Sequence, residues 1–259
     1  MSQVLLSIEQ GVARIRLNRP EALNSLSPEL LDELEKAVSE VRADTSVRIA
    51  IFSGEGRAFC TGADLQSVLR LLEEWPDYIK FLYQLTRVFS AIEQLPVPTV
   101  AQVHGYALAG GLELVLACDM AIAGHGALIG DQHANFGLIA GAGGIPRLVR
   151  RVGKQAASEI LYTGKWLSGQ DAAACGIVLR AVPDEDLDSA VDELAAQLRP
   201  KARISLSYMK RAILAGLDVP LVSALNEERA ALIEYFGTSK HPREGISAYL
   251  EKRDPNFDE

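Results

Sequence analysis

The chain has 259 residues, of which 48% are hydrophobic and 23% charged, and its formal net charge is −8. This suits one large domain, or a domain with a small appendage, of ordinary globular composition. The acidic balance argues against a general nucleic-acid binder, which would present a basic surface, but leaves a phosphate-bearing ligand open because phosphates respond to local charge.

In chain order, residues 4–8 and 12–17 read as two short strands joined at Gln10-Gly11. Ser27-Pro28-Glu29 is a helix start, with Ser27 as cap and Pro28 at the first helical position. Leu30, Leu31, Leu34, Ala37, Val38 and Val41 then recur at helical spacing. A strand is predicted over 48–53, a glycine-rich loop after it, and a helical region over 65–95 that breaks near Trp75-Pro76. Pro96-Val97-Pro98 ends that region, and 99–104 is the next strand. Short strands are predicted over 120–123 and 127–130. Gly141-Ala142-Gly143-Gly144-Ile145-Pro146 introduces another helix, and a last strand covers 177–182. From Asp184 onward the pattern is nearly all helical, with boundaries near Pro200, Pro220 and Gly237. There is no internal repeat. Strands alternating with helices over the first two thirds imply a βαβ organisation.

Two stretches carry chemistry. Gly105-Tyr106-Ala107-Leu108-Ala109-Gly110-Gly111-Leu112-Glu113 closes an apolar run on a glycine pair and opens a helix with a carboxylate in its first turn. Ser53-Gly54-Glu55-Gly56-Arg57-Ala58-Phe59-Cys60-Thr61-Gly62-Ala63-Asp64-Leu65 is a glycine-rich loop that leads into a helix with Asp64 near its start. Helix openings leave N–H groups without internal partners and carry partial positive charge. Each could lend one N–H to a common oxygen while Glu113 moves a proton. The plain alternative is a pair of tightly packed helix starts.

Other motifs are weak. Gly141-Ala-Gly-Gly lacks the third glycine at dinucleotide spacing, and neither G-x-x-x-x-G-K-[ST] nor G-x-S-x-G occurs. His104, His125, His133 and His241 show no paired ligand spacing, so no metal site is expected. Cys60, Cys118 and Cys175 are an odd set without metal-type spacing. With no signal peptide and no long apolar stretch, a reduced, cytoplasmic setting away from the membrane is expected.

Arg57-Ala-Phe-Cys-Thr-Gly-Ala-Asp-Leu, Gly105-Tyr-Ala-Leu-Ala-Gly-Gly-Leu-Glu-Leu and Cys118-Asp119-Met120-Ala121-Ile122-Ala123 together resemble the crotonase (enoyl-CoA hydratase/isomerase) superfamily. So do the opening Leu17-Asn-Arg-Pro-Glu-Ala-Leu-Asn-Ser-Leu and the closing Glu244-Gly245 and Ala248-Tyr-Leu-Glu-Lys-Arg. The resemblance runs from about residue 3 to 256 in the family's order. It implies an α/β fold with a crotonase-like ββα spiral core over 1–198 and a C-terminal helical trimerisation region over 199–259. It further implies a homotrimer or dimer of trimers acting on an acyl-CoA thioester, with no cofactor beyond the coenzyme A that the substrate carries.

The resemblance also assigns residues. The backbone N–H groups of Ala63 and Gly110 would hold the thioester carbonyl, and Glu113 matches the first of two glutamates around a water molecule. Counting seven residues back from Ala140, where the family has proline, places the second glutamate at His133, so an imidazole stands where a carboxylate is usual; Asp131 is two residues off that register. Hydration with His133 handling the α-carbon proton is favoured. Enoyl-CoA isomerisation, acyl-CoA or carbon–carbon hydrolysis using His133, and a non-catalytic CoA-binding paralogue are the alternatives. Ala22, Leu23, Asp64 and Leu65 would contact coenzyme A, mostly through backbone, with Arg19 a candidate for a phosphate and Lys252 or Arg253 for a neighbour's nucleotide. Val68, Leu69, Leu72, Trp75 and Tyr78 are expected to wall the acyl pocket.

Overall fold

Two sheets share the core, and the smaller one sets the geometry of the site. The computed structural model describes residues 2–257. Strands β1 (Val4–Glu9) and β2 (Val12–Leu17) form a hairpin; helix α1 (Pro28–Ala43) follows, then β3 (Ile49–Gly54) and β4 (Ala58–Cys60). Helices α2 (Leu65–Glu73) and α3 (Trp75–Glu93) lead to β5 (Thr99–Val103) and β6 (Tyr106–Leu108), and α4 spans Gly110–Ala117. Next come β7 (Met120–Gly124), β8 (Leu128–Gly130), a 3-10 turn (His133–Phe136), α5 (Gly144–Thr163), β9 (Leu167–Ser168), α6 (Gly169–Ala174) and β10 (Arg180–Val182). Four helices end the chain: α7 (Leu187–Leu198), α8 (Arg203–Gly216), α9 (Leu221–Thr238) and α10 (His241–Glu251).

The large sheet has the order β1-β2-β3-β5-β7-β10, and every neighbouring pair but β1/β2 is parallel. Its central strands are covered on both faces, as parallel sheets require. Successive side chains point to opposite faces. Ala50 and Phe52 of β3 therefore enter the main core with α1, while Ile49 and Ile51 enter a second cluster with Leu187, Val191 and Leu194 of α7. Helix α1 starts as its sequence predicts, the Leu30 N–H donating to Ser27 Oγ at 3.2 Å.

The small sheet, in the order β4-β6-β8-β9, is legible only in part from sequence. Strands β4 and β6 are three residues each, lie inside stretches that read as glycine loops, and pair with one another in parallel, Ala58 with Tyr106. Periodicity cannot show so short a strand. The predicted strand over 177–182 begins instead at Arg180, because the Ile177 and Val178 amides turn back to the Ala172 carbonyl at 2.8 and 3.3 Å. The predicted break near Trp75-Pro76 is real and separates α2 from α3.

Helices α8–α10 bury few side chains, in contrast to α7. Lys210 is buried on α8, and its Nζ donates to Asp119 Oδ2 at 2.8 Å and the Val97 carbonyl at 3.2 Å. Asp119 Oδ2 also accepts from the Thr99 amide at 2.8 Å and its hydroxyl at 2.9 Å, so one carboxylate fastens α8 to the start of β5. Among the described residues no helix is long and apolar enough to cross a membrane.

Candidate active site

Because β4 and β6 run side by side in the same direction, the segments leaving their C-terminal ends face each other. Beyond β4, Leu26 and Ala63 form an isolated parallel bridge: the Leu26 N–H donates to the Gly62 carbonyl at 2.8 Å and the Asp64 N–H to the Leu26 carbonyl at 3.0 Å. Amides alternate in direction along an extended strand. The Ala63 N–H therefore faces away from Leu26. Gly62 makes the approach possible: it has φ +94°, and a Cβ there would lie 2.9 Å from the Gly110 nitrogen.

Beyond β6, Ala109 is the residue before α4, with φ 50° and ψ −116°, a conformation that costs an alanine on the order of 1–3 kcal/mol. One sheet bond and one helix bond hold it there: its N–H donates to the Gly130 carbonyl at 2.9 Å, and its carbonyl accepts from the Glu113 N–H at 3.0 Å. The Gly110 N–H is the first of the helix and has no intrahelical acceptor. The Cβ position that Gly110 leaves vacant is 3.5 Å from the Ala63 nitrogen. Gly111 has its own reason to be glycine, since a Cβ would stand 2.0 Å from the Cys60 carbonyl oxygen.

Helix α4 is buried on every side, Glu113 included at 3% exposure. Glu113 Oε1 accepts two backbone hydrogen bonds, from Ala142 N–H and Gly144 N–H, each 2.8 Å, which leaves Oε2 for another partner. Burial pushes the Glu113 carboxyl above its ordinary value and Asp131 adds to the rise; the two amides and the charge of His133 work against it.

His133 opens the 3-10 turn after β8. Its Nδ1 lies 2.9 Å from Asp131 Oδ2 and 3.1 Å from Oδ1, and its backbone N–H donates to Oδ1 at 3.0 Å. Burial disfavours the imidazolium, but the Asp131 hydrogen bond and charge, with Glu113's charge, outweigh it and raise the His133 pKa above 6.5.

These groups share one cavity of about 730 Å³, lined by Ala63, Gly110, Glu113 and His133 on its polar side. Tyr78, Phe81, Leu82 and Leu85 of α3, with Leu65 and Val68 of α2, form the apolar wall, and Phe136, Leu138, Ile139 and Trp166 complete it. Of the expected acyl-pocket residues only Val68 and Tyr78 take part. Leu69, Leu72 and Trp75 point to solvent, because α2 packs by one narrow face and the break before α3 carries Trp75 outward. No Lys or Arg lines the cavity among the described residues.

The expected ligand contacts divide. Leu65 lines the cavity, but the Arg19 guanidinium is spent on the protein itself, donating to Asp64 Oδ2 at 3.0 Å and the Ser25 carbonyl at 2.8 Å. Asp64 meanwhile caps α2 through Oδ1, which accepts from the Ser67 N–H at 3.0 Å. Ala22 and Leu23 lie on the loop beside them, whose Leu23 carbonyl accepts from Thr61 Oγ1 at 3.3 Å. Arg253 is paired with Glu244 and Glu251. Three contributors were not foreseen from sequence: Asp131, and the Ala142 and Gly144 amides. Gly144 could have given the signal, as the glycine that opens α5.

Parallel ββα layers whose two glycine-rich openings and buried carboxylate line one apolar cavity define a protein of crotonase architecture. The chain belongs to the enoyl-CoA hydratase/isomerase family, whose model matches residues 7–259. It is 36% identical to the human enoyl-CoA hydratase domain-containing protein 2, mitochondrial, over 98% of this chain and 88% of that one. It is 34% identical to the 2,3-dehydroadipyl-CoA hydratase of Escherichia coli strain K12, over 99% of both. A solved enoyl-CoA hydratase from Mycobacterium smegmatis superposes with a TM-score of 0.94 at 33% identity, over 99% of both chains.

Proposed function

We propose that the protein is an enoyl-CoA hydratase that adds water across the double bond of a 2-enoyl-CoA thioester. The observation that carries this reading is the two-amide hold on Glu113 Oε1 beside the paired openings at Ala63 and Gly110. The thioester oxygen accepts from the Ala63 and Gly110 N–H groups. Glu113 Oε2 takes a proton from water, whose oxygen bonds to the β-carbon while the π electrons move through the α-carbon onto the thioester oxygen. His133 then gives a proton to the α-carbon and closes the addition. Donors fixed where charge develops favour the transition state over the bound substrate, and each contributes about 3 kcal/mol.

The acyl group is apolar on this reading. The wall contributed by Tyr78, Phe81, Leu82 and Leu85 offers no cation to a distal carboxylate, in contrast to what the name of the E. coli relative implies for its own substrate. Coenzyme A is the substrate's own carrier, met through the backbone at Ala22, Leu23, Asp64 and Leu65, and no other cofactor takes part. Apolar side chains left exposed on α8–α10, among them Ile213, Leu225, Ile233 and Leu250, suit burial between copies in a trimer.

The test is a panel of straight-chain and ω-carboxyl 2-enoyl-CoAs read by mass spectrometry. The reading expects a gain of one water on the apolar substrates and a much slower reaction on the ω-carboxyl ones. Release of free coenzyme A would make the protein a hydrolase, and a shifted double bond at constant mass an isomerase; either result overturns hydration.

A further inference from the structure

The family's second carboxylate is absent from its expected place, yet a carboxylate stands immediately behind the imidazole that replaces it. Asp131 is 2% exposed, at the point where the chain leaves β8, and both of its oxygens are turned to one residue. Oδ1 accepts from the His133 backbone N–H at 3.0 Å, and the two oxygens lie 3.1 and 2.9 Å from His133 Nδ1. An ionised carboxylate can only accept, so the ring nitrogen facing it carries the hydrogen. The other ring nitrogen, Nε2, is left for the cavity that His133 lines.

We infer that Asp131 is a positioning residue, which holds the His133 ring by Nδ1 so that Nε2 alone exchanges a proton with the substrate's α-carbon. The inference rests on the hydration reading for its substrate, but its geometry does not depend on which acyl-CoA is turned over. The charges that act on His133 are Asp131, behind it, and Glu113, from α4 across the cavity. Helix α5, packed on the same turn, directs its Arg147 to Glu93 instead, at 2.8 Å. Asp131 thus acts at one remove where a second glutamate would act directly: it favours the protonated ring that donates to the α-carbon. In the hydration step the Nε2–H bond breaks as the α-carbon–hydrogen bond forms, and the neutral ring is reprotonated from the proton that Glu113 took from water. No oxidant or further reactant is needed.

Asp131→Asn tests the assignment, since it keeps the shape and removes the charge. Heteronuclear NMR of the histidine ring nitrogens is the first readout and needs no turnover. Wild type should show the His133 Nδ1–H form and a titration raised from the ordinary imidazole range; in the variant the titration should move to lower pH. The second readout is hydration: kcat should fall at least roughly tenfold with KM little changed, and the alkaline limb should move to lower pH. In a His133→Gln background the same substitution should have no further effect. A His133 ring that titrates identically in wild type and Asp131→Asn, or losses that multiply in the double variant, overturns the positioning role. Absence of any hydration by wild type would instead defeat the functional reading, while the NMR result would still decide the role of Asp131.

Discussion

Gly144 lacks a side chain where Glu113 needs the room: a Cβ on Gly144 would stand 2.8 Å from Glu113 Cγ and 3.0 Å from Oε1. The same glycine donates its amide to that oxygen. The run 141–144 thus does more than start α5. It walls in the buried carboxylate and donates both of the backbone hydrogen bonds that anchor it.

Gly144→Ala should therefore displace Glu113 without disturbing the rest of the core. The expected outcome is a loss of about 100-fold or more in kcat for enoyl-CoA hydration, as for removal of a general base, with the circular-dichroism spectrum unchanged. Wild-type kcat in a folded Gly144→Ala would show that the amide and the space are incidental.

The pH–rate profile has a sign fixed by the two shifted groups. Glu113 must be ionised to accept a proton, and burial raises its pKa, so the acid limb of kcat should fall above 4.5. His133 must be protonated to donate, and its Asp131 and Glu113 neighbours raise its pKa, so the alkaline limb should fall above 6.5. The limbs belong to the coupled pair, which faces one cavity. His133→Gln should abolish the alkaline limb; its persistence in that variant would contradict the assignment.

Asp119 should matter to stability and not to chemistry. Asp119→Ala leaves the Lys210 ammonium buried with only the Val97 carbonyl, and strips the Thr99 amide and hydroxyl of their acceptor. Breaking such a pair one-sidedly costs on the order of 3 kcal/mol. Urea unfolding should show that loss. A change under about 0.5 kcal/mol would mean that the link between α8 and β5 carries no weight.

The proposed trimer rests on the exposed apolar side chains of α8–α10. Sedimentation equilibrium should return a mass of three or six times the 28.0 kDa chain. A single species of one chain mass at micromolar concentration would contradict the trimer.

What the sequence disclosed follows from which signals are local. Caps, prolines and long periodic runs marked α1, the break between α2 and α3, and the helical C-terminal third. Two glycine-rich openings suggested a pair of N–H donors near Glu113, the resemblance assigned them to Ala63 and Gly110, and the structure brings those residues to one cavity. Strands β4 and β6 escaped because three residues cannot display a period, yet their parallel pairing is what makes the openings face each other. Arg19 illustrates the opposite case: it reads as a cation beside a loop, and only folding shows Asp64 delivered to it from 45 residues away. Asp131 was visible two positions from the expected carboxylate, but only the turn at His133–Phe136 shows it serving the imidazole from behind.

The most direct measurement is the hydration rate of Glu113→Gln on a straight-chain 2-enoyl-CoA, taken together with calorimetric binding of a saturated acyl-CoA. Glutamine can still accept the Ala142 and Gly144 hydrogen bonds but cannot take a proton from water. The account predicts a fall in kcat of about 100-fold or more with binding retained. Turnover at the wild-type rate would contradict it.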